Sequence, residues 1–272
     1  MDVLLLLKAL IMGIVEGLTE FLPISSTGHL IVVGRLIEFP ESISGTFEIV
    51  IQLGAILAVV VYFARDLAGL VVRLPRDAGA RRLALGIMAA FVPFGIVGWL
   101  FGDQLRDLLF GPLPVAIAMV AGAVIILIVE RAQRTPVATR LEDITLPRAL
   151  GVGLAQMASL IPGMSRSAAT IVGGLLCGLD RVTALRFSFY LSIPILVVAG
   201  VYDLARNLDS LAQPGVAPAY IVGLATSFVV ALAVVHWFLK YVSRNTLVPF
   251  AWYRLAAGGV LIAISLLAPG WL

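Results

Sequence analysis

The sequence predicts an all-α polytopic membrane protein: six transmembrane helices plus two re-entrant helical hairpins in an inverted-topology repeat. Three observations carry this reading. Of the 272 residues, 61% are hydrophobic and 13% charged, against roughly 25% charged in a soluble domain. Mean hydropathy is +1.06, more apolar surface than a soluble globule of this size can hide. Two apolar stretches are broken by proline, at Pro23 and at Pro162-Gly163, and the chain repeats itself across its midpoint. Disorder, coiled coil and a nucleic-acid partner are excluded. The net charge of +3 reflects loop Arg and Lys, which orient a polytopic chain. The lone Cys177 excludes an intrachain disulfide and any multi-Cys metal site. The amino terminus does not read as a signal peptide, because Asp2 replaces a basic start and Lys8 interrupts the apolar run.

A membrane-spanning helix needs about 20 apolar residues. Residues 83–102, 108–129 and 210–239 meet this without a charge, and 249–268 meets it with Arg254 near its start. Residues 46–64 and 187–202 become long enough when flanking residues tilt or snorkel. The remaining apolar pieces are short: 4–22 and 25–37 around Pro23, then 148–161 and 167–179 around Pro162-Gly163. Helices of that length reach partway across, which predicts a re-entrant hairpin at each place rather than one long kinked helix.

Gly13 pairs with Gly153, Pro23 with Pro162, Ser26 with Ser165, Phe47 with Phe187, Tyr62 with Tyr202, Trp99 with Trp237 and Gly122 with Gly258. The spacing drifts only from 140 residues at Gly13–Gly153 to 136 at Gly122–Gly258. The chain therefore reads as a single membrane domain, 1–272, made of repeats of about 1–138 and 139–272. Each half holds one hairpin and three spans. Three is odd, so the halves insert with opposite orientation, and sites are expected where the broken helices meet.

Loop charge assigns the sides. One side carries Arg65, Arg73, Arg76, Arg81 and Arg82 with Asp66 and Asp77, then Arg131, Arg134, Arg140, Arg148, Arg181, Arg186, Lys240 and Arg244. The other carries Glu38, Glu41, Glu48, Asp103, Arg106, Asp107, Asp203, Arg206 and Asp209. The Arg-rich side is expected to be cytoplasmic, which leaves both termini outside. The first hairpin then enters from outside and the second from the cytoplasm, so their tips can meet inside the bilayer.

The first hairpin holds Glu16 and Glu20, four residues apart and so on one helix face. Each carboxylate costs about 2.5–3.5 kcal/mol or more at membrane depth, so a cation, a metal ion or protonation must offset the pair. After Pro23, Ser25 or Ser26 can cap the next helix and leave N–H groups free to bind an anion. His29 lies three residues after Ser26, a spacing that can set an imidazole beside a hydroxyl as base beside nucleophile. The same spacing also suits plain capping and packing.

In the second hairpin Ser165 and Ser167 can cap, and Gly163 lets backbone approach a ligand. Arg166 is the only charge between Arg148 and Asp180. Its guanidinium suits bidentate phosphate contact, or a salt bridge to Glu16 or Glu20. Gln156 gives the second half a neutral counterpart of Glu16. His236, beside Trp237, reads as a packed or interfacial residue. Glu48 and Gln52 can line the cavity, although Glu48 also suits the outer interface. Arg254 is expected to snorkel to the cytoplasmic surface.

Glu16-Gly17-Leu18-Thr19-Glu20-Phe21-Leu22-Pro23-Ile24-Ser25-Ser26-Thr27-Gly28-His29 and Pro162-Gly163-Met164-Ser165-Arg166-Ser167-Ala168-Ala169-Thr170 resemble the two signature segments of the bacterial undecaprenyl-diphosphate phosphatases of the bacitracin-resistance type. The resemblance spans the chain, including Phe47-Glu48-Ile49-Val50-Ile51-Gln52-Leu53-Gly54, with no departure at the polar motif positions. It implies hydrolysis of a C55 polyprenyl diphosphate to the monophosphate, recycling the carrier for cell-wall polymers and conferring bacitracin resistance. It also implies a divalent cation, Mg²⁺ or Ca²⁺, and residence in the plasma (inner) membrane. The acid phosphatases that act on lipid phosphates are a different family. The second His their chemistry needs is absent, since no His follows Arg166 until His236.

On this reading Glu16 and Glu20 hold the metal. Arg166, Ser165, Ser167, Gly163, Ser25, Thr27 and Thr170 bind phosphate, and Ser26, His29, Glu20 and Arg166 carry the catalysis. Ser26 as nucleophile with His29 as base, His29 as nucleophile, and a metal-activated water all remain open. The rival function is a lipid-carrier flippase or transporter, because paired hairpins in inverted repeats also build transporters. The site is expected to open to the outside and laterally to the outer leaflet. Helices outside the fold core are available to pack in a homodimer.

Overall fold

The computed structural model describes residues 2–132, 135–207, 211 and 213–268. Arg134 and Asp209, which entered the loop-charge argument, lie outside the described residues, as do the first residue of the 210–239 span and the side chain of Arg106. Among the described residues there are eleven α-helices and no strand. They are α1 (Val3–Thr19), α2 (Ser26–Leu36), α3 (Glu41–Tyr62), α4 (Ala64–Arg73), α5 (Ala78–Leu109) and α6 (Pro112–Arg131), followed by α7 (Leu146–Gln156), α8 (Arg166–Leu176), α9 (Arg181–Arg206), α10 (Ala217–Val242) and α11 (Val248–Leu267).

Six of these, α3, α5, α6, α9, α10 and α11, are long and apolar enough to cross a membrane. They overlap the six stretches expected from hydropathy. The protein is therefore a multi-pass membrane protein. Large apolar side chains such as Trp99, Ile221, Trp252 and Val260 stand exposed on the outer faces of the spans, where lipid replaces water as the solvent. The span expected at 187–202 runs from Arg181 to Arg206, because Arg residues at its two ends extend the helix past the apolar stretch.

The proline-containing stretches are separate helices. α1 ends at Thr19 and α2 begins at Ser26; α7 passes into a 3-10 turn at Met157–Leu160, and α8 begins at Arg166. α1 packs on α2, and α7 packs on α8. Each broken pair also leans on a span from the other half of the chain. α1 packs on α10, where a Cβ at Gly13 would lie 2.6 Å from the Gly223 carbonyl oxygen; α7 packs on α5, where a Cβ at Gly153 would lie 2.6 Å from that of Ala90. Only glycine allows backbones this close, the small-residue contact that membrane helices use in place of a hydrophobic drive. α3 packs on α9 and α6 on α11. Each of these contacts joins an element to its sequence-repeat counterpart, or exchanges the counterparts between halves.

Loop charge segregates in space. Arg65, Arg73, Arg140 and Arg186 line one surface pocket, with Arg73 3.5 Å from Glu142 and Arg186 3.8 Å from Asp66. Arg206 pairs instead with Asp103, 3.4 Å away. The Arg-rich connection after α3 contains a helix, α4, that hydropathy alone does not reveal, since only one of its residues, Leu70, is buried. Asp77 then caps α5, and the N–H groups of Gly79 and Ala80 hold its carboxyl below the usual carboxylate range.

Near the loop that precedes α11, the buried carboxylate of Glu130 accepts from Arg181 and, at 2.8 Å, from the Leu247 N–H. It thereby ties the end of α6 to the starts of α9 and α11. Glu130→Ala leaves the Leu247 N–H unpaired inside the protein, an expected cost of about 2–3 kcal/mol. Thermal unfolding in detergent should show a lowered midpoint. An unchanged midpoint would mean that water takes the place of the carboxylate.

Candidate active site

Both helix breaks are built alike. Ser25 and Ser165 precede α2 and α8 with positive φ, 74° and 71°, and each side chain accepts the N–H three residues on, from Gly28 and Ala168. Left-handed backbone at a residue with a Cβ costs on the order of 1–3 kcal/mol, and here it occurs at both caps, so the structural equivalent of Ser165 is Ser25 and not Ser26, with which the sequence repeat paired it. Gly163 has φ 95°, and a Cβ there would stand 2.3 Å from the Val115 carbonyl oxygen. This explains the glycine after Pro162: both the dihedral and the space exclude a side chain.

The two breaks meet. Arg166 donates to the Glu20 carboxylate at 3.0 Å, with both side chains nearly buried, and Ser167 donates to the Leu22 carbonyl at 2.8 Å. The salt bridge foreseen as the alternative role of Arg166 is thus formed, and to Glu20 rather than Glu16. The face of Phe21 stacks against the guanidinium 5.7 Å away. Beside this pair lies a cavity of about 220 Å³ lined by Glu20, Ser25, Ser26, Thr27, Gly163, Ser165 and Arg166 from the two motifs. Gln52 from α3, Ser159, and apolar Phe94, Ile195 and Leu196 are also part of the lining. The starts of α2 and α8 both reach this cavity, and a helix start presents unpaired N–H groups and positive potential to an anion.

Within the cavity, Ser26 donates to Glu20 at 2.9 Å. Three expected residues, His29, Thr170 and Ser167, do not line it. His29, three residues after Ser26, has Nδ1 2.7 Å from the Ser25 carbonyl oxygen and Nε2 2.6 Å from the Tyr253 hydroxyl. The imidazole therefore does not sit beside the Ser26 hydroxyl as the spacing suggested. One turn of helix puts both residues near the same face, but the capping turn at Ser25 draws the ring to the carbonyl instead. Thr170 is fully buried and bonds Ser188 at 2.6 Å and the Arg166 and Ser167 carbonyls, away from the cavity. Ser167 is spent on Leu22 and Ser165.

Three residues were misread or missed. Ser159 carried no signal beyond lying near Pro162. The sequence by itself assigns no role to Tyr253. Arg254 does not reach the surface: it is 0% exposed, and its guanidinium donates only to backbone carbonyls. Its position near the start of an apolar span suggested snorkelling, but the side chain runs inward to the helix breaks, whose carbonyls lack helical partners. His236, exposed, bonds Tyr62 at 3.2 Å, and Glu48 lines a separate groove with Arg35, Glu38 and Glu41.

A family profile described as bacitracin resistance protein BacA matches residues 9–260. This chain belongs to that family. It is 48% identical over 269 residues to the undecaprenyl-diphosphatase of Polaromonas sp. (strain JS666 / ATCC BAA-500), covering 97% of each chain. It is 48% identical over 268 residues to that of Variovorax paradoxus (strain S110), again covering 97% of each. To the undecaprenyl-diphosphatase of Laribacter hongkongensis (strain HLHK9) it is 46% identical over 272 residues, covering 100% of this chain and 98% of the relative.

Members of the family are expected to use a divalent cation. Glu16 is 1% exposed and neither carboxylate oxygen has a hydrogen-bond partner; Gln156 is equally buried, its amide unpartnered. Among the described residues no group of three or more His, Cys, Asp and Glu gathers. Two carboxylates nonetheless suit a hard cation that keeps waters and shares phosphate oxygens. The unpartnered oxygens of Glu16 are the donors such an ion would need, while Glu16 does not line the cavity and the Glu20 oxygens are engaged by Ser26 and Arg166. If it binds there, Mg²⁺ or Ca²⁺ at about 100 times its dissociation constant should stabilise the protein by about 2.7 kcal/mol. Glu16→Gln should lose that response and unfold no earlier than wild type in chelator, since the amide is of the same size and carries no charge to desolvate. An equal cation-induced shift in both proteins would remove Glu16 from the metal site.

Proposed function

We infer that this chain is an undecaprenyl-diphosphatase, a membrane hydrolase that converts undecaprenyl diphosphate to undecaprenyl phosphate and inorganic phosphate. The observation that carries the inference is the Arg166–Glu20–Ser26 constellation between two converging helix starts, in a chain nearly half identical to proteins of that name. Carrier recycling for cell-wall polymers and bacitracin resistance follow from that activity.

The diphosphate enters the cavity and the prenyl tail stays among the apolar helices. The N–H groups at the starts of α2 and α8, the Ser25, Thr27 and Ser165 hydroxyls and the backbone at Gly163 bind phosphate oxygens. Arg166 leaves Glu20 to take a bidentate hold on the terminal phosphate and stabilises charge in the transition state. Ser26 attacks the terminal phosphorus while Glu20, already accepting its hydrogen bond, takes the proton. Undecaprenyl phosphate departs. Glu20 hands that proton to the departing phosphate and, ionised again, accepts one from the water that attacks the seryl phosphate, returning it to the Ser26 oxygen as inorganic phosphate leaves. Glu16 and Glu20 are the residues that would hold a divalent cation, which when bound neutralises phosphate charge. His29 supports the Ser25 turn from outside the cavity.

We read α1–α2 and α7–α8 as re-entrant hairpins of two inverted repeats, about 1–138 and 139–272. Support comes from the matched Ser25 and Ser165 caps and from the exchanged packing of α1 on α10 and α7 on α5. The Arg-rich end faces the cytoplasm of the plasma membrane, both termini face outward, and the cavity opens to the outer leaflet, where the polymer-spent carrier is left. A homodimer is compatible with the exposed spans.

Purified protein in detergent with Mg²⁺ or Ca²⁺ should release phosphate from C55 diphosphate. No release would favour the flippase reading. Arg166→Lys keeps the charge but loses the planar fork, so turnover should fall by about 10²–10³-fold in a folded protein. Ser26→Ala should abolish both turnover and a trappable phosphoenzyme, whereas substantial residual activity would move the attack to water.

Orientation is read separately. Cysteine placed at Ser26 in a Cys177→Ser background should react with a membrane-impermeant thiol reagent added outside cells stripped of outer barriers. Labelling from the cytoplasmic face alone would invert the topology.

A further inference from the structure

Breaking a helix inside an apolar bundle frees carbonyl groups that have no water to turn to, and each unpaired one costs several kcal/mol in such surroundings. The breaks at Pro23 and Pro162-Gly163 create this problem twice within one site. The solution comes from neither motif. Arg254, on α11, points its guanidinium into the junction between the two tips.

All five guanidinium N–H groups find acceptors. Nη1 donates to the Pro23 carbonyl at 3.2 Å and the Met164 carbonyl at 3.0 Å. Nη2 donates to Gly163 at 3.1 Å and Ala118 at 3.3 Å, and Nε to Met119 at 3.0 Å. One planar group thus holds the first tip, the second tip and the α6 backbone together. No ion pair to Arg254 is found among the described residues, so its charge is balanced by carbonyl dipoles alone. The space is kept open by Gly122, where a Cβ would stand 2.2 Å from Nη2. The neighbouring Tyr253 grips the first tip as well, through His29 to the Ser25 carbonyl.

We propose that Arg254 is a positioning residue for the phosphatase reaction: it clamps the two motif tips in register, so that Ser26 and Glu20 on one tip face Arg166 on the other. It does not touch the substrate. The proposal rests on the undecaprenyl-diphosphatase reading and deepens it. Lysine cannot replace the clamp, because an ammonium has three donors on a point charge and cannot reach the five carbonyls that the guanidinium serves.

The test compares wild type, Arg254→Lys and Gly122→Ala, each purified in detergent. Gly122→Ala keeps the arginine but pushes its far end off the carbonyls, and it decides the question alone if Arg254→Lys fails to insert. In both variants kcat for C55 diphosphate should fall about 100-fold, the scale expected for misplacing reacting groups by an ångström. KM should stay within about threefold, because the tail-binding helices are untouched. Amide hydrogen exchange, read without substrate, should quicken about tenfold or more at residues 22–28 and 161–168 and stay at the wild-type level in α3 and α9. A wild type that releases no phosphate would sink the activity reading, while localised exchange at the tips would still uphold the clamp. An active wild type whose variants retain kcat within threefold, or whose exchange rises uniformly through the bundle, would overturn the positioning role.

Discussion

The constraint on which this structure depends is the unpaired backbone at two helix breaks in an apolar interior. A continuous helix satisfies its own carbonyl and N–H groups, and a broken one cannot. Here the loose ends are turned to use. The free N–H groups at the starts of α2 and α8 face the cavity, where an anion can take them. Carbonyls of both breaks are collected by Arg254. Donors and acceptors released by the same two breaks thus go to different partners.

Charge follows the same logic. Glu20 and Arg166 come from opposite halves of the chain and meet nearly dry. Such a pair repays its desolvation only when the geometry is good and its remaining lone pairs are used. Ser26 uses one of them. Removing Arg166 without replacement would strand a buried carboxylate at Glu20. Glu16 is the buried motif carboxylate among the described residues with neither oxygen partnered.

The packing explains why the halves must assemble around each other. α1 leans on α10 and α7 on α5, so each broken pair is held by a span from the opposite half, while α6 pairs with α11 beneath both tips. A change at α11 therefore reaches Ser26 and Arg166 together, although neither lies near it in the sequence. Tyr253 and Arg254 act on the first tip by separate routes, one through His29 and one directly at Pro23.

The six spans, the two breaks and the motif residues were legible in the sequence because bilayer thickness, proline and intramembrane charge each leave a local mark. Apolar length located α3, α5, α6, α9, α10 and α11, and Pro23 and Pro162 located the tips. The partners of these residues were not legible. Ser26-x-x-His29 placed two residues on one face of a helix but could not say that the ring would turn to Ser25 and Tyr253 while the hydroxyl took Glu20. Arg254 looked like an interfacial arginine because its neighbours in the sequence are apolar, whereas its five acceptors come from residues 90 to 231 positions away. Helix periodicity reports which way a residue faces relative to its own axis. Only the tertiary arrangement brings distant carbonyls within 3.3 Å of a guanidinium, and so decides which arginine meets a carboxylate and which meets backbone alone.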